Sequence, residues 1–414
     1  MPFYYLNSIP GFTELVNGND NINVLKLSKT NKNNQSYKII KYDKNFLSTD
    51  LISSYGVLRS VILNSLNSIV SFAPPKSISS DLFMTKYPEL GQDIVAEEFV
   101  EGTMVNVFWD KSIQLSGAWE IATRNSVGGE VSFYKTAESK TFRSMFLEAA
   151  NVCNLNLNTL DPRFCYSFVL QHPDNRIVTP FSKPSLYLVE VYEIYYAEPG
   201  FHSIYSINID DVKQMWNFTQ TSVKFPQVYD LSNGYAELKS KYASMNTPYD
   251  VLGVMLKNKM TMERTKFRNP VYEQVRRLRG NQPKLMYQYL CLRQQGKVRD
   301  YLNFYPENKK EFSFFRDNLH TFTTALFQNY LSCYVHKDVP LKEFPDQYRT
   351  HMYHLHQIYI NQLRSKGLCV TNNEVIDYVN KMHPSLQMYS LNYSMRKRFK
   401  AQAEADVVVP ISVS

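Results

Sequence analysis

The stretch Val95-Ala-Glu-Glu-Phe-Val-Glu-Gly-Thr-Met-Val-Asn-Val-Phe-Trp-Asp110 constrains the fold of this chain more than any other. Two β-prone runs, Glu97–Val100 and Met104–Trp109, flank Glu101-Gly102-Thr103, and the pattern predicts two strands around one tight turn. Gly102 is the residue there that takes a positive φ without strain. Its missing Cβ lets backbone or ligand come close.

The surrounding segments are also strand-like up to about residue 265. Tyr37–Tyr42, Tyr55–Leu63 and Ser68–Phe72 read as strands, with Asn64–Asn67 as a hairpin connection and Pro74-Pro75 as a stop. Lys29–Gln35 reads as a polar loop or turn. Gln114–Arg124, Cys165–Gln171, Ser185–Tyr195 and Val251–Lys257 add β-prone runs, and Ser139–Ala150 has helical spacing. From about residue 270 the periodicity turns helical: 271–280, 284–296, 311–335 and 345–366, with Gly367 as a C-cap. Thr371-Asn-Asn-Glu374 is a capping-box pattern opening a further helix. The expectation is an α+β fold with antiparallel sheets over residues 1–265, an all-helical domain over 266–384, and a poorly ordered tail over 385–414.

Bulk properties narrow the function classes. With 414 residues, 44% of them hydrophobic, the chain is long enough for two or three domains. A net charge of +8 favours a polyanionic partner. Five cysteines are scattered with no Cys-x-x-Cys pair, which argues against a disulfide framework or zinc ribbon and predicts a reducing, intracellular compartment. The N-terminus has no basic region before an apolar run, so no signal peptide is expected, and no membrane association is expected either.

The order of motifs resembles the ATP-dependent RNA ligases of the bacteriophage T4 type, within the covalent nucleotidyltransferase superfamily. Leu58-Arg59-Ser-Val-Ile-Leu63 is similar to the strand that carries an arginine ahead of the nucleophile motif. Ser71-Phe-Ala-Pro-Pro-Lys-Ser77 resembles the next segment. Phe99-Val-Glu-Gly-Thr103 falls where the family has Lys-x-Asp-Gly-Ser, and Ala122-Thr-Arg124 resembles the strand after it. Phe168-Val-Leu-Gln-His-Pro-Asp-Asn-Arg-Ile-Val178 is similar to Phe-Glu-Leu-x-x-Pro-x-Asn-Arg-Ile-Val. Leu252-Gly-Val-Met-Leu-Lys257, with Lys259, resembles Glu-Gly-x-x-x-Lys-x-Lys. The resemblance implies a nucleotidyltransferase-like (ATP-grasp-like ligase) fold. It also implies a cleft that takes nucleotide or RNA phosphates, and it is compatible with a viral source.

The departures from the family are systematic. The family's lysine attacks the α-phosphate of ATP, and Phe99 has no lone pair with which to do so. Val169 and Leu252 stand where the family has glutamates, and a carboxylate is what a hard cation needs. The resemblance therefore implies a catalytically degenerate protein that binds RNA ends or a nucleotide. An active ligase with a relocated nucleophile, using ATP and Mg, and a scaffold that binds no nucleotide are the alternatives. Lys76 is the rescue candidate for the nucleophile. Lys41, in Lys41-Tyr-Asp43, is a surface lysine by default.

The expected phosphate pocket comprises Arg59, Lys76, Glu101, Gly102, Arg124, Arg176, Lys257 and Lys259. Arginine offers forked donors and lysine a point charge. Arg176 has an alternative as a partner of Asp174 or Glu190. Glu97, Glu98, Glu101 and Glu120 read as partners for these cations rather than as a metal site. The densest basic stretch, with Arg264, Lys266, Arg268, Arg276, Arg277 and Arg279 and interleaved aromatics, is expected to contact RNA, against the alternative of a solvated helix face. His351, His354 and His356 do not form a metal set, because His356 turns away from the other two and no carboxylate is near.

Overall fold

In the computed structural model, residues 3–18, 22–32, 34–114, 116–133, 139–196, 202–394 and 396–398 are described. The chain divides into two compact units, Met1–Arg276 and Arg277–Ser414, the division falling inside the helix Pro270–Arg279.

The first unit holds three sheets, and every named pair of neighbouring strands is antiparallel. A seven-stranded sheet runs in the order Phe3–Tyr5, His202–Ser206, Ser185–Tyr196, Phe164–Gln171, Thr103–Asp110, Ala118–Thr123, Ser126–Val127. Its central strand Phe164–Gln171 is buried at every position because both faces are covered. On one face the helix Phe142–Val152 packs Met145, Phe146 and Ala149 against Tyr166, Phe168 and Leu188. On the other face lies a four-stranded sheet, Leu25–Lys32, Gln35–Tyr42, Val61–Leu63, Ile69–Phe72, whose Tyr37, Ile39 and Ile62 meet Phe108, Ala122 and Cys165. The third sheet runs Val228–Tyr229, Ile94–Glu98, Gly253–Asn258, Arg264–Arg268. It buries Ala96, Val254, Leu256 and Phe267 with Phe83 and Leu238.

Several local expectations are corrected by longer-range pairing. Lys29–Gln35 is mostly strand rather than loop, because Leu25–Lys32 pairs with Gln35–Tyr42 along its whole length. Tyr55–Leu63 is strand only at Val61–Leu63, after a helical turn at Ile52–Tyr55. The most consequential correction concerns residues 97–109. The two strands there do not pair with each other. Ile94–Glu98 pairs with Gly253–Asn258, whereas Thr103–Asp110 pairs with Phe164–Gln171 and Ala118–Thr123. The segment 99–102 is thus a crossing from one sheet to another. Gly102 is what permits it: its φ is +149°, and a Cβ there would lie 2.4 Å from the Leu170 carbonyl oxygen.

The second unit is helical: Leu285–Gln294, Val298–Phe304, Lys309–Tyr330, Asp346–Ile358, Asn372–Lys381 and Pro384–Leu391. Its core joins Leu290, Phe312, Phe322, Leu326, Leu355, Val375 and Val379, all buried. The Thr371–Glu374 capping box is formed, and Gly367 closes the preceding helical segment at φ +70°. The expected tail is helical at its start, because His383 caps the helix and Pro384 sits at its first position, where no N–H is needed. Residues 399–414 lie outside the described residues. No helix among the described residues is long and apolar enough to cross a membrane.

Candidate functional site

A cleft of about 460 Å³ opens in the first unit, lined from the seven-stranded and the third sheets. Nine cations line it: Lys44, Arg59, Lys76, Arg124, Lys257, Arg264, Lys266, Arg268 and Arg276. Three carboxylates, Glu97, Glu98 and Glu101, stand against them. Phe99, Gly102, Val169 and Leu252 line the same space. The sequence-predicted residues Arg59, Lys76, Glu101, Gly102, Arg124 and Lys257 therefore come together. Arg176 and Lys259 are not among the lining residues. Arg176 donates from Nε to the Val178 carbonyl at 2.9 Å. Lys259 is exposed, past the end of the strand Gly253–Asn258, with its backbone N–H on Asp93. The strand stops before the alternation that places Lys257 in the cleft reaches residue 259.

The residues expected on an RNA-binding surface divide differently. Arg264, Lys266 and Arg268 are alternate residues of one strand and all three line the cleft. Arg276 lines it too, and its guanidinium also reaches Glu273 at 3.2 Å. Arg277 is exposed. Arg279 is buried and donates to the Gly280 carbonyl, so it is not a solvent-facing RNA contact. The signal that would have separated these roles is the period of two in Arg-Thr-Lys-Phe-Arg, which composition alone hides.

Each carboxylate near the site has a partner. Glu97 pairs with Lys257 at 2.5 Å, and Glu190 meets the same ammonium at 2.6 Å. Burial opposes charge on Lys257, but Glu190 and Glu97 outweigh it and keep the lysine protonated. Lys257 is thereby a neutralised strut rather than a free phosphate donor, and Glu190 is a site residue that sequence reading placed only beside Arg176. Glu101 accepts from the backbone N–H groups of Val178 and Thr179 and from Thr179 Oγ1 at 2.6 Å. Burial nevertheless raises its pKa. Glu120 accepts from Arg143 at 2.5 Å. Val169 and Leu252 are apolar, and Glu97 and Glu101 are already engaged, so none of these four offers a free carboxylate to a hard divalent cation. Among the described residues no cluster of His, Cys, Asp and Glu is placed to hold a metal.

The cations are less well served. The Arg59 guanidinium reaches the Pro74 carbonyl at 3.4 Å. Burial, then Arg264, lowers its pKa to about 10. Arg124 lies over the Tyr42 ring and donates to the Arg59 carbonyl. Among the described residues Nε and Nη1 of Arg264 are buried without a hydrogen-bond partner, and Glu190 is 3.6 Å from Nη1. Lys76 is lowered by burial, then by Arg124 and Lys44. Lys266 is lowered further, to about 7, by burial and then by Arg268, Arg264, Arg59 and Lys76. Its ammonium sits 5.6 Å from the centre of the Phe99 ring, and the Arg268 guanidinium sits 5.7 Å from it. Lys41 lies elsewhere, donating to Asn125.

The histidines of the helical unit are occupied by aromatic and hydroxyl partners. His351 contacts Tyr378 Oη and Ser390 Oγ, both at 2.9 Å, and His354 contacts the same tyrosine. His356 turns away and stacks on Tyr334 with ring centroids 3.9 Å apart.

No family model matches the chain. A search of characterised proteins finds an RNA ligase of Rhodothermus phage RM378, 23% identical over a 282-residue alignment, with 60% of this chain covered. Over that stretch the chain is similar to an RNA ligase. The ligase-like match spans 58% of the length of that phage protein. Among solved structures, an archaeal ATP-dependent RNA ligase is 11% identical with a TM-score of 0.38, over 94% of this chain and 78% of that one. A Naegleria gruberi RNA ligase variant with AMP and Mn is 12% identical with a TM-score of 0.32, over 49% of this chain and 57% of that one.

Proposed function

We propose that this RNA-ligase-like chain binds the phosphates of a nucleotide or of an RNA end in the cationic cleft, and that residue 99 forms no covalent intermediate. The observation that carries the reading is the imbalance of charge. Among the described residues two buried N–H groups of Arg264 have no hydrogen-bond partner, and Arg59 and Lys266 are both depressed by burial and then by neighbouring cations. Buried donors and crowded cations are costly unless something accepts from them. A polyphosphate supplies what the cleft lacks: several anionic oxygens at the spacing of guanidinium forks. Phe99 contributes an apolar ring to the cleft and no nucleophile.

The test is a titration of the full chain with ATP and with a 5′-phosphorylated RNA oligonucleotide, followed by fluorescence anisotropy at low and moderate salt. Binding is expected to weaken with salt. It should also weaken by about tenfold or more in Arg59→Met and in Arg264→Met, each of which removes one charge-assisted contact. Undetectable binding of both ligands, or affinity unchanged in both variants, overturns the reading and leaves a scaffold.

A further inference from the structure

A second cavity, of about 610 Å³, opens in the first unit and shares Lys76 and Arg264 with the cleft. Its volume is that of a small-molecule site. Its walls carry the rings of Phe3, Tyr4 and Tyr87 and the aliphatic side chains of Ile52, Val57 and Ile78. Met262, on the same wall, holds φ at +58°, in the left-handed region that a residue with a side chain enters at a cost. Strain of that kind gathers at ligand sites. Tyr4 Oη donates to the Met262 carbonyl at 3.5 Å.

The charges of this cavity do not balance. Lys76, Lys86 and Arg264 line it against one carboxylate, Glu263. Glu263 is already taken: Lys86 Nζ lies 2.6 Å from it, and Tyr87 Oη donates to it at 2.7 Å. Lys76 and Arg264 remain. Among the described residues no carboxylate pairs with the Lys76 ammonium, whose charged neighbours are Arg124 and Lys44. Arg264 is 3.6 Å from Glu190, yet among the described residues two of its buried N–H groups have no hydrogen-bond partner.

We propose that this cavity binds a small flat anion, an aromatic ring carrying one phosphate or carboxylate group, and that its occupation weakens phosphate binding in the cleft. The antagonism rests on the cleft binding proposed above; the cavity's own binding does not. The ring fills the apolar walls and stacks on Phe3, which is 54% exposed. The anionic group meets Lys76 and Arg264, which have no other acid to pair with on this side. Both spaces draw on the same two cations. An anion held in one lowers the positive potential in the other, and each ligand raises the dissociation constant of the other by the same factor.

The experiment titrates the full chain with naphthyl phosphate, with naphthoate and with the uncharged naphthylmethanol, read by naphthalene fluorescence. ATP affinity is then measured by calorimetry with and without saturating anion. At least one anion should bind saturably and about tenfold or more tighter than the alcohol, and the tighter of the two names the anionic group. Binding should weaken about tenfold or more in Lys76→Met, and equally in Ser53→Trp, which sets an indole at an exposed residue of the cavity wall. It should stay within about twofold in Arg268→Met, a change confined to the cleft. Saturating anion should raise the ATP dissociation constant about fivefold or more in the wild type and have no effect in Ser53→Trp. Each variant is melted first, and Phe3→Ala, at an exposed ring, takes the place of Ser53→Trp if that chain does not fold. Absence of anion binding overturns the inference. Binding that survives the cavity variant, or is lost in Arg268→Met, places the anion in the cleft and also overturns it. ATP affinity unchanged by a filled cavity overturns the antagonism. If the anion binds and ATP does not, the cleft reading and the antagonism fall together and the cavity site stands.

Discussion

Replacing Lys257 with methionine tests whether that residue is a strut or a ligand-facing cation. Its ammonium lies 2.5 Å from Glu97 and 2.6 Å from Glu190, whose side chains are 11% and 14% exposed. Lys257→Met keeps most of the volume but leaves two nearly buried carboxylates facing one another. Removing one partner of a buried ion pair costs about 3–5 kcal/mol, because the remaining charge is uncompensated. At roughly 2–4 °C per kcal/mol for a unit of this size, the unfolding midpoint should fall by roughly 6–20 °C. Scanning calorimetry on the full chain measures it. Adding Glu97→Gln and Glu190→Gln to Lys257→Met should restore more than half of the loss, since no orphan charge then remains. A fall worth less than about 1 kcal/mol, the level of an exposed pair, combined with a large loss of ATP affinity, would refute the reasoning.

Other perturbations probe the remaining arguments. Gly102→Ala should destabilise the first unit by about 1–3 kcal/mol, because its φ of +149° and the nearby Leu170 carbonyl leave no room for a Cβ; a melting curve unchanged from wild type would contradict the crossing geometry. Lys266 carries a folded-state pKa of about 7 against an ordinary 10.5, so the unfolded chain binds the extra proton between those values and stability rises with pH there. Urea titrations should therefore show wild type gaining on the order of 2 kcal/mol over Lys266→Met from pH 6 to pH 9, and a difference that is flat with pH would count against a buried, cation-crowded lysine. Arg276→Glu should weaken ATP binding about tenfold, whereas Arg277→Glu, exposed and outside the cleft-lining set, should leave it within a factor of two; equal effects would dissolve the distinction. Thr371→Ala should cost the helical unit about 1 kcal/mol through loss of its capping box, read as a shift in urea midpoint.

What sequence reading could see was whatever is encoded locally. The switch from period two to helical spacing near residue 270, the Thr371 capping box and the Gly367 terminus all depend on neighbours in the chain, and each is present. The motif order brought Arg59, Lys76, Gly102, Arg124 and Lys257 to one cleft. Partners far apart along the chain were invisible. Glu190 meets Lys257 because the strand Ser185–Tyr196 and the strand Gly253–Asn258 converge, and nothing near either residue announces it. Arg264, Lys266 and Arg268 were grouped with the basic helix that follows, since charge density outweighed a five-residue alternation. The same bias made a hairpin of residues 97–109: adjacent strands pair by default, and only the distant partners of each show that they separate.

That separation has a consequence for how such a molecule can change over evolutionary time. Where the chain passes between sheets, the backbone of Phe99 is tethered to the Gly253 carbonyl at 3.3 Å, and its side chain hangs into the ligand space. Architecture at this point is written in the main chain and in Gly102, while reactivity is written in one pendant group. An amine can be exchanged there for a ring without unravelling any hydrogen-bonded ladder. The two sheets can thus keep their pairing whichever side chain stands at that position.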